Sequence, residues 1–250
     1  MSLTDRLLGP ILNADPARPL ITFYDDADGT RVELSAATLA NWAAKTANWL
    51  TDECGLAAGD RVHVALPAHW QTAGALLGAW WCGAHVVAEP DGAEVSLVAP
   101  AAVGGAGNAG DAGDAGNGTR RAVAPVCAVL ALDPLGRGAT DPPPGRVDWA
   151  TEIRVHGDFY HPAEPVPGGV PALLGATIDQ VHAAARERAT ALGIGPGDRV
   201  LSTLAWTLPG GLVDGLLAIL AAPASLVHCA HPDPAALAAR RTTEHVTAAL

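Results

Sequence analysis

The chain has 250 residues, 49% of them apolar, and a formal net charge of −11 at pH 7, enough apolar material to bury a substantial core as one large or two small domains. The acidic balance and the lack of a clustered basic footprint exclude nucleic acid as the expected partner. The longest apolar stretch, Leu212 to Ala230, is broken by Asp214 and Pro223, so no membrane span is expected.

The N-terminus MSLTDRLLGP has neither a basic n-region nor a long apolar h-region, and Cys54, Cys82, Cys127 and Cys229 lie far apart without C-x-x-C spacing. Both features read as an unexported, cytoplasmic protein with buried, reduced thiols. Residues 35–54 then place Leu39, Trp42, Ala43, Thr46, Trp49 and Leu50 on one helical face behind Ser35 as N-cap. Lys45 is the chain's only lysine; it falls about 100° from the centre of that face, the position of a solvated side chain. Gly59 and Asp60 turn the chain into RVHVALP, a β-branched strand ending at Pro67. A helix from about His69 to Cys82 follows, Gly83 breaks it, and AHVVAEP reads as the next strand.

Gly104 to Gly118, GGAGNAGDAGDAGNG, is a Gly/Ala/Asn/Asp insert too poor in apolar groups to order itself, and a disordered loop is expected there. RAVAPVCAVLAL contains one more strand, and Asp133 to Trp149, with three consecutive prolines, is an irregular connection. Thr177 and Gln180 form a capping box for a helix whose apolar face is Ile178, Val181, Ala185, Ala189 and Leu192. A Gly-Pro-Gly-Asp turn, the strand RVLSTLA, an apolar helix from Gly210 to Ala222 and the strand ASLVHCA complete this part.

GLAAGDRV at residues 55–62 thus returns as GIGPGDRV at 193–200. Each copy is the turn between helix and strand in a helix, strand, helix, strand unit. Strands this apolar, alternating with helices, imply parallel pairing with helices on both faces. The expected fold is α/β, doubly wound, with mostly parallel sheets and two pseudo-repeated halves, residues 1–103 and 119–250, flanking the 104–118 insert or joined as one continuous domain.

The stretch LSAATLANWAAKTANWLTDECGLAAGDRVHVALPAHWQTAGALLGAWWCGAHVVAEPD, from Leu34 to Asp91, resembles the opening of the adenylate-forming, AMP-binding superfamily of acyl-CoA synthetases, luciferases and adenylation domains. LGIGPGDRVLSTLAWTLPGGLVDGLLAILAAPASLV is similar to the family segment after the phosphate loop. The resemblance implies the family's N-terminal domain fold, with ATP or AMP as the nucleotide ligand and a carboxylic acid activated as its acyl-adenylate. It places the phosphate loop at AEPVPGGVPALLGAT, with Gly168, Gly169 and Thr177 as the residues that would touch nucleotide.

This loop departs from the family pattern. Pro165 and Pro167 lack N–H donors, and Ala172 stands where the family has a lysine, which makes a poor phosphate cradle. The chain is read as a truncated relative ending at the strand where the family's remaining catalytic half begins. Its expected role is that of a non-catalytic or regulatory module that meets a full-length synthetase, or a second copy of itself, through the face the missing half would cover. The alternatives are a ligase with a rebuilt nucleotide site and an enzyme of another class.

An enzyme of another class would use the cleft at the strands' carboxyl ends, with His69, Trp206, Thr207, Asp158 and His161 as candidates. HGDFYH offers His156, Asp158 and His161, and HCAH offers His228, Cys229 and His231, as metal-ligand types. Neither run closes a four-ligand set, so both read as loop or strand-end residues, with no metal and no catalytic group assigned.

Overall fold

The computed structural model describes residues 1–100 and 124–250; the expected disordered insert at 104–118 lies outside the described residues. The chain begins with helix α1 (Leu3–Ala14), started by a capping box between Ser2 and Asp5. The hairpin β1 (Pro19–Asp25) and β2 (Thr30–Ser35) follows. Helix α2 (Ala36–Asp52) starts at Ser35, whose hydroxyl accepts from the Thr38 N–H. Strand β3 (Arg61–Ala65), helix α3 (Trp70–Trp81) and strand β4 (His85–Val87) form the first repeat unit.

Next come β5 (Val95–Val98), β6 (Val126–Val129), β7 (Val147–Asp148) and the short helix α4 (Trp149–Ile153). The hairpin β8 (Pro171–Leu173) and β9 (Ala176–Thr177) leads into α5 (Ile178–Ala191), with the expected Thr177–Gln180 capping box. The second unit is β10 (Arg199–Ser202), a helix α6 and β11 (Ser225–Ala230). In α6, α-helical Gly210–Leu212 and Ala218–Ala221 flank a π-helical turn, Val213–Leu217. Helix α7 (Pro234–Thr243) and β12 (Ala248–Ala249) follow.

Two sheets result, in the orders β12-β10-β11-β1-β2 and β7-β6-β5-β3-β4-β8-β9. All pairings are parallel except the β1–β2 and β8–β9 hairpins. Helices α1, α2, α3, α5 and the end of α6 contact one another, and one core cluster runs through them from Val62 and Leu97 of one sheet to Val200 and Leu226 of the other. A shared helical layer therefore lies between the sheets. On the other face of the five-stranded sheet, Leu237 of α7 packs on Leu201, Val227 and Cys229. Sheet membership interleaves the sequence: β1 and β2 join the strands of the second unit, while β6 to β9 join those of the first.

The repeated octapeptide does the same structural work twice. Gly59 (φ +98°) and Gly197 (φ +87°) occupy the left-handed region, where a side chain is strained. Their N–H groups donate to the carbonyls of Gly83 and Pro223, the turns at the ends of α3 and α6. The carboxylates of Asp60 and Asp198 accept from the N–H of Ala57 and of Gly195. The carbonyls of the same two aspartates accept from His85 and Ser225 at the start of the next strand. Each octapeptide thus ties the turn after its own helix to the end of the next helix and to the start of the next strand.

α2 and α3 cross closely because Gly78 has no side chain: a Cβ there would lie 2.4 Å from Thr46 Cβ and 2.7 Å from the Ala43 carbonyl.

Candidate functional site

The segment at the phosphate-loop position is the natural place to look for nucleotide chemistry. Here its polar groups are engaged with neighbouring elements. The Gly168 carbonyl accepts from the Asp179 N–H at the start of α5 at 3.0 Å, and the Val170 N–H donates to the Pro167 carbonyl at 3.2 Å. A Cβ at Gly168 would lie 2.3 Å from the Asp179 carboxylate, so a negative charge sits against the glycine. That carboxylate accepts from Arg6 of α1 at 2.6 Å.

The Thr177 hydroxyl accepts from the Gln180 N–H at 3.3 Å as the cap of α5. Ala172 is buried at 1% exposure, and its carbonyl accepts from Trp80 Nε1 at 2.9 Å. Gly169 is exposed. Gly168, Gly169 and Thr177 therefore lie along one connected segment, with two of the three held by the start of α5.

Lys45 corrects the sequence expectation. It is half-buried rather than solvated: its ammonium donates to the His156 carbonyl at 2.7 Å and pairs with Asp158 at 2.8 Å. One turn along α2, the Asn48 amide donates to the carbonyls of Gly157 and Phe159. The period placed Lys45 correctly at the edge of the apolar face; the missing fact was that residues 156–159 cover that edge. This segment also carries the exposed side chain of Phe159, and Val155 just before it is exposed too.

No group of three His, Cys, Asp or Glu residues among the described residues is arranged to hold a metal ion. In HCAH the reason is the strand itself, since successive side chains on β11 point to opposite faces. His228 faces the shared core and stacks on Phe23, with ring centroids 6.0 Å apart. Cys229 joins the cluster on the outer face, and His231, past the strand, faces Asp25 at 2.8 Å. In HGDFYH, Asp158 belongs to the Lys45 pair and His161 is exposed.

The carboxyl ends of both sheets instead bring together a buried group contributed by both repeat units. Phe23 at the end of β1 meets His69, the N-cap of α3, edge to face with centroids 4.4 Å apart. Trp206, beyond β10, lies over His228 at 5.7 Å. Burial, with His228 nearby, pushes the His69 imidazolium pKa down to about 4, and burial does the same to His228. Both rings are uncharged at neutral pH.

His69 Nε2, His228 Nδ1 and Trp206 Nε1 are buried with no hydrogen-bond partner among the described residues. A cleft of about 490 Å3 opens beside them, lined by the apolar ends of β3 and β4 and by Trp206 and Thr207. The sequence pointed to His69, Trp206 and Thr207 here. It did not point to Phe23 or to the inward-facing His228, because nothing in the chain order shows that β1 lies beside β11.

Five- and seven-stranded parallel-rich sheets around a shared helical layer make this the fold of the N-terminal domain of adenylate-forming enzymes. The chain superposes on an acyl-CoA synthetase from Brucella canis with a TM-score of 0.76 at 16% identity, over 100% of this chain and 47% of that one. Against an acetoacetyl-CoA synthetase from Streptomyces lividans the TM-score is 0.70 at 18% identity, covering 98% and 41%. A benzoate CoA ligase from Burkholderia xenovorans gives 0.69 at 17%, covering 99% and 49%. The chain spans less than half the length of each of these proteins, and at such identities the likeness is one of fold.

No protein-family model matches the chain. A Mycobacterium tuberculosis protein of strain H37Rv, described as a TIGR03089 family protein, is 50% identical over 249 residues, covering 100% of this chain and 98% of that protein. The chain belongs to that family. No helix among the described residues is long and apolar enough to cross a membrane.

Proposed function

We propose that the protein is a non-catalytic binding module built on the acyl-CoA synthetase scaffold. One observation carries this reading: the segment at the phosphate-loop position uses its polar groups to hold itself against α3 and α5. Phosphate binding there would need backbone N–H groups turned outward, free hydroxyls and a cation. Instead Pro165 and Pro167 have no N–H, the Thr177 hydroxyl caps α5, and the Asp179 carboxylate borders Gly168. The chain's one lysine is tied to His156 and Asp158. Electrostatic stabilisation of a transferring phosphoryl group needs Lys, Arg or metal clamps, and this segment supplies none of them.

The apolar cleft beside Trp206 and Thr207 supports binding of a small, largely apolar molecule without its activation. A full-length synthetase or a second copy of the chain completes this reading as the protein partner. The test is ATP–pyrophosphate exchange by the purified protein with a panel of short, branched and aromatic carboxylic acids. The expected result is no exchange above the protein-free rate. Acid-dependent exchange would make the protein a ligase with a rebuilt nucleotide site and overturn the reading.

A further inference from the structure

A second cavity, of about 230 Å3, lies between the end of α1, the start of α2, the end of α3 and residues 158–161. Among the described residues it shares no lining side chain with the cleft beside Trp206, and none with the phosphate-loop segment. The space exists because α2 presents only Ala37 and Ala40 to it, three residues apart on one helical face, where longer side chains would fill it. Leu12 of α1 completes this apolar wall.

Aromatic rings form the opposite wall. Trp81 and Tyr160 make an edge-to-face pair, with centroids 6.1 Å apart and planes at 62°, and Phe159, 82% exposed, stands at the mouth. These walls are held in place before any ligand arrives. Trp81 Nε1 donates to the Asp5 carboxylate at 2.9 Å, the Phe159 carbonyl accepts from the Asn48 amide at 3.0 Å, and Asp158 pairs with Lys45 at 2.8 Å. Polar groups are few, as in most small-molecule sites. The half-buried Asn41 side-chain amide lines the cavity, makes no hydrogen bond among the described residues and is not sealed from solvent, so a ligand can reach it. Asp158 is the only carboxylate among the described lining residues, and the ammonium beside it is already taken. A carboxylate ligand would therefore be desolvated without a free cation, which is costly.

We propose that this cavity binds a neutral, single-ring aromatic alcohol of the phenol type, its ring packed against Trp81, Tyr160 and Phe159 and its hydroxyl bonded to the Asn41 amide. The size agrees: an apolar cavity of about 150 Å3 takes up benzene, and the larger volume here, about 230 Å3, leaves room for the hydroxyl. A ring in this place would also cover part of the apolar surface that Phe159 leaves in water. The site does not depend on whether the phosphate-loop segment binds nucleotide.

The test is a titration of the full chain, free of nucleotide, with phenol, followed by NMR at the Asn41 side-chain amide and the Trp81 indole N–H. Toluene lacks the hydroxyl, cyclohexanol lacks the aromatic ring, and benzoate is an anion. Saturable shifts at both signals are expected, with toluene and cyclohexanol about threefold to tenfold weaker than phenol and benzoate about tenfold weaker or worse. Ala37→Leu, which keeps a good helix former in α2, fills the cavity and should abolish the shifts. Phe159→Ala, at an exposed position that leaves the fold intact, should weaken binding about threefold or more. Shifts at the Trp206 indole with none at Asn41 or Trp81, benzoate binding as tightly as phenol, or unchanged affinity in both variants would each overturn the proposal. None of these results bears on pyrophosphate exchange, so the two proposals fail separately.

Discussion

The two copies of the helix, strand, helix, strand unit agree at one end and differ at the other. At the amino ends of the strands, Gly59 with Asp60 and Gly197 with Asp198 make corresponding hydrogen bonds within their own turns, to the end of the next helix and to the start of the next strand. At the carboxyl ends the first copy passes directly through Pro67 to His69, which caps a regular helix. The second makes a longer excursion through Trp206 and enters α6, which has no side-chain cap and a π-helical turn. Trp206 folds over that turn, 2.8 Å from where a Gly215 Cβ would be. π turns of this kind are often found at functional sites. The copied ends carry stability, and the divergent ends form the cleft, as ligand sites in open α/β sheets usually do.

The largest expected effect tests the divergent ends together. His69 and His228, one from each copy, have folded pKa values of about 4, below the unfolded value of about 6.5. The folded state therefore binds fewer protons than the unfolded state in that window. Their contribution is fully present above about pH 6.5 and is lost as pH falls toward 4, by about 3 kcal/mol per ring. Urea unfolding between pH 7 and pH 4.5 should show this fall, and His69→Asn should remove about half of its slope. A flat profile over that range would place water around both rings and break the comparison.

Next in size is the contrast between two glycines. Gly78→Ala puts a methyl group against the backbone of α2 and should cost about 3 kcal/mol. Gly215→Ala meets the Trp206 ring, a side chain that can shift, and should cost about 1 kcal/mol while altering Trp206 fluorescence. Equal costs would mean that Trp206 is held as rigidly as α2.

Asp60→Ala and Asp198→Ala should cost about 1 kcal/mol each, and their effects should add in the double variant, because the sites share no partner. No cost at either position would show that its turn does not depend on the carboxylate. Hydrogen bonds from the Gly195 N–H and from Thr247 hold the Asp198 carboxyl below the usual aspartate range. Its stabilising effect is present above the unfolded pKa of about 4 and disappears as pH falls through the lower folded value. The smallest effect is that of Lys45→Met, about 0.5–1 kcal/mol, with faster amide exchange across residues 156–159 as its more sensitive signature.

The copied ends were readable in the sequence because their information is local. The caps of Ser35 and Thr177, the positive φ of Gly59 and Gly197 and the carboxylate bonds of Asp60 and Asp198 are set within three residues or fewer, and caps and turns have strong residue preferences. The strands and helices of both units follow from apolar periods of two and 3.6 residues. The divergent ends were only partly readable. His69, Trp206 and Thr207 could be placed after strands, but Phe23 comes from a hairpin that joins the sheet of the second unit across nearly the whole chain. His228 sat in a run that suggests metal ligands, and only its position on β11 shows that it turns away from Cys229. Lys45 was misjudged for the same reason: its partners, His156 and Asp158, are far along the chain and belong to no regular element.

The central claim is that the phosphate-loop segment serves structure and not nucleotide binding. Calorimetric titration with Mg·ATP, and with a non-hydrolysable acyl-adenylate analogue, tests it most directly. The account predicts no saturable heat with either ligand up to millimolar concentration. Saturable binding at micromolar concentration, lost when Thr177 is replaced by a residue that still caps α5, would contradict it.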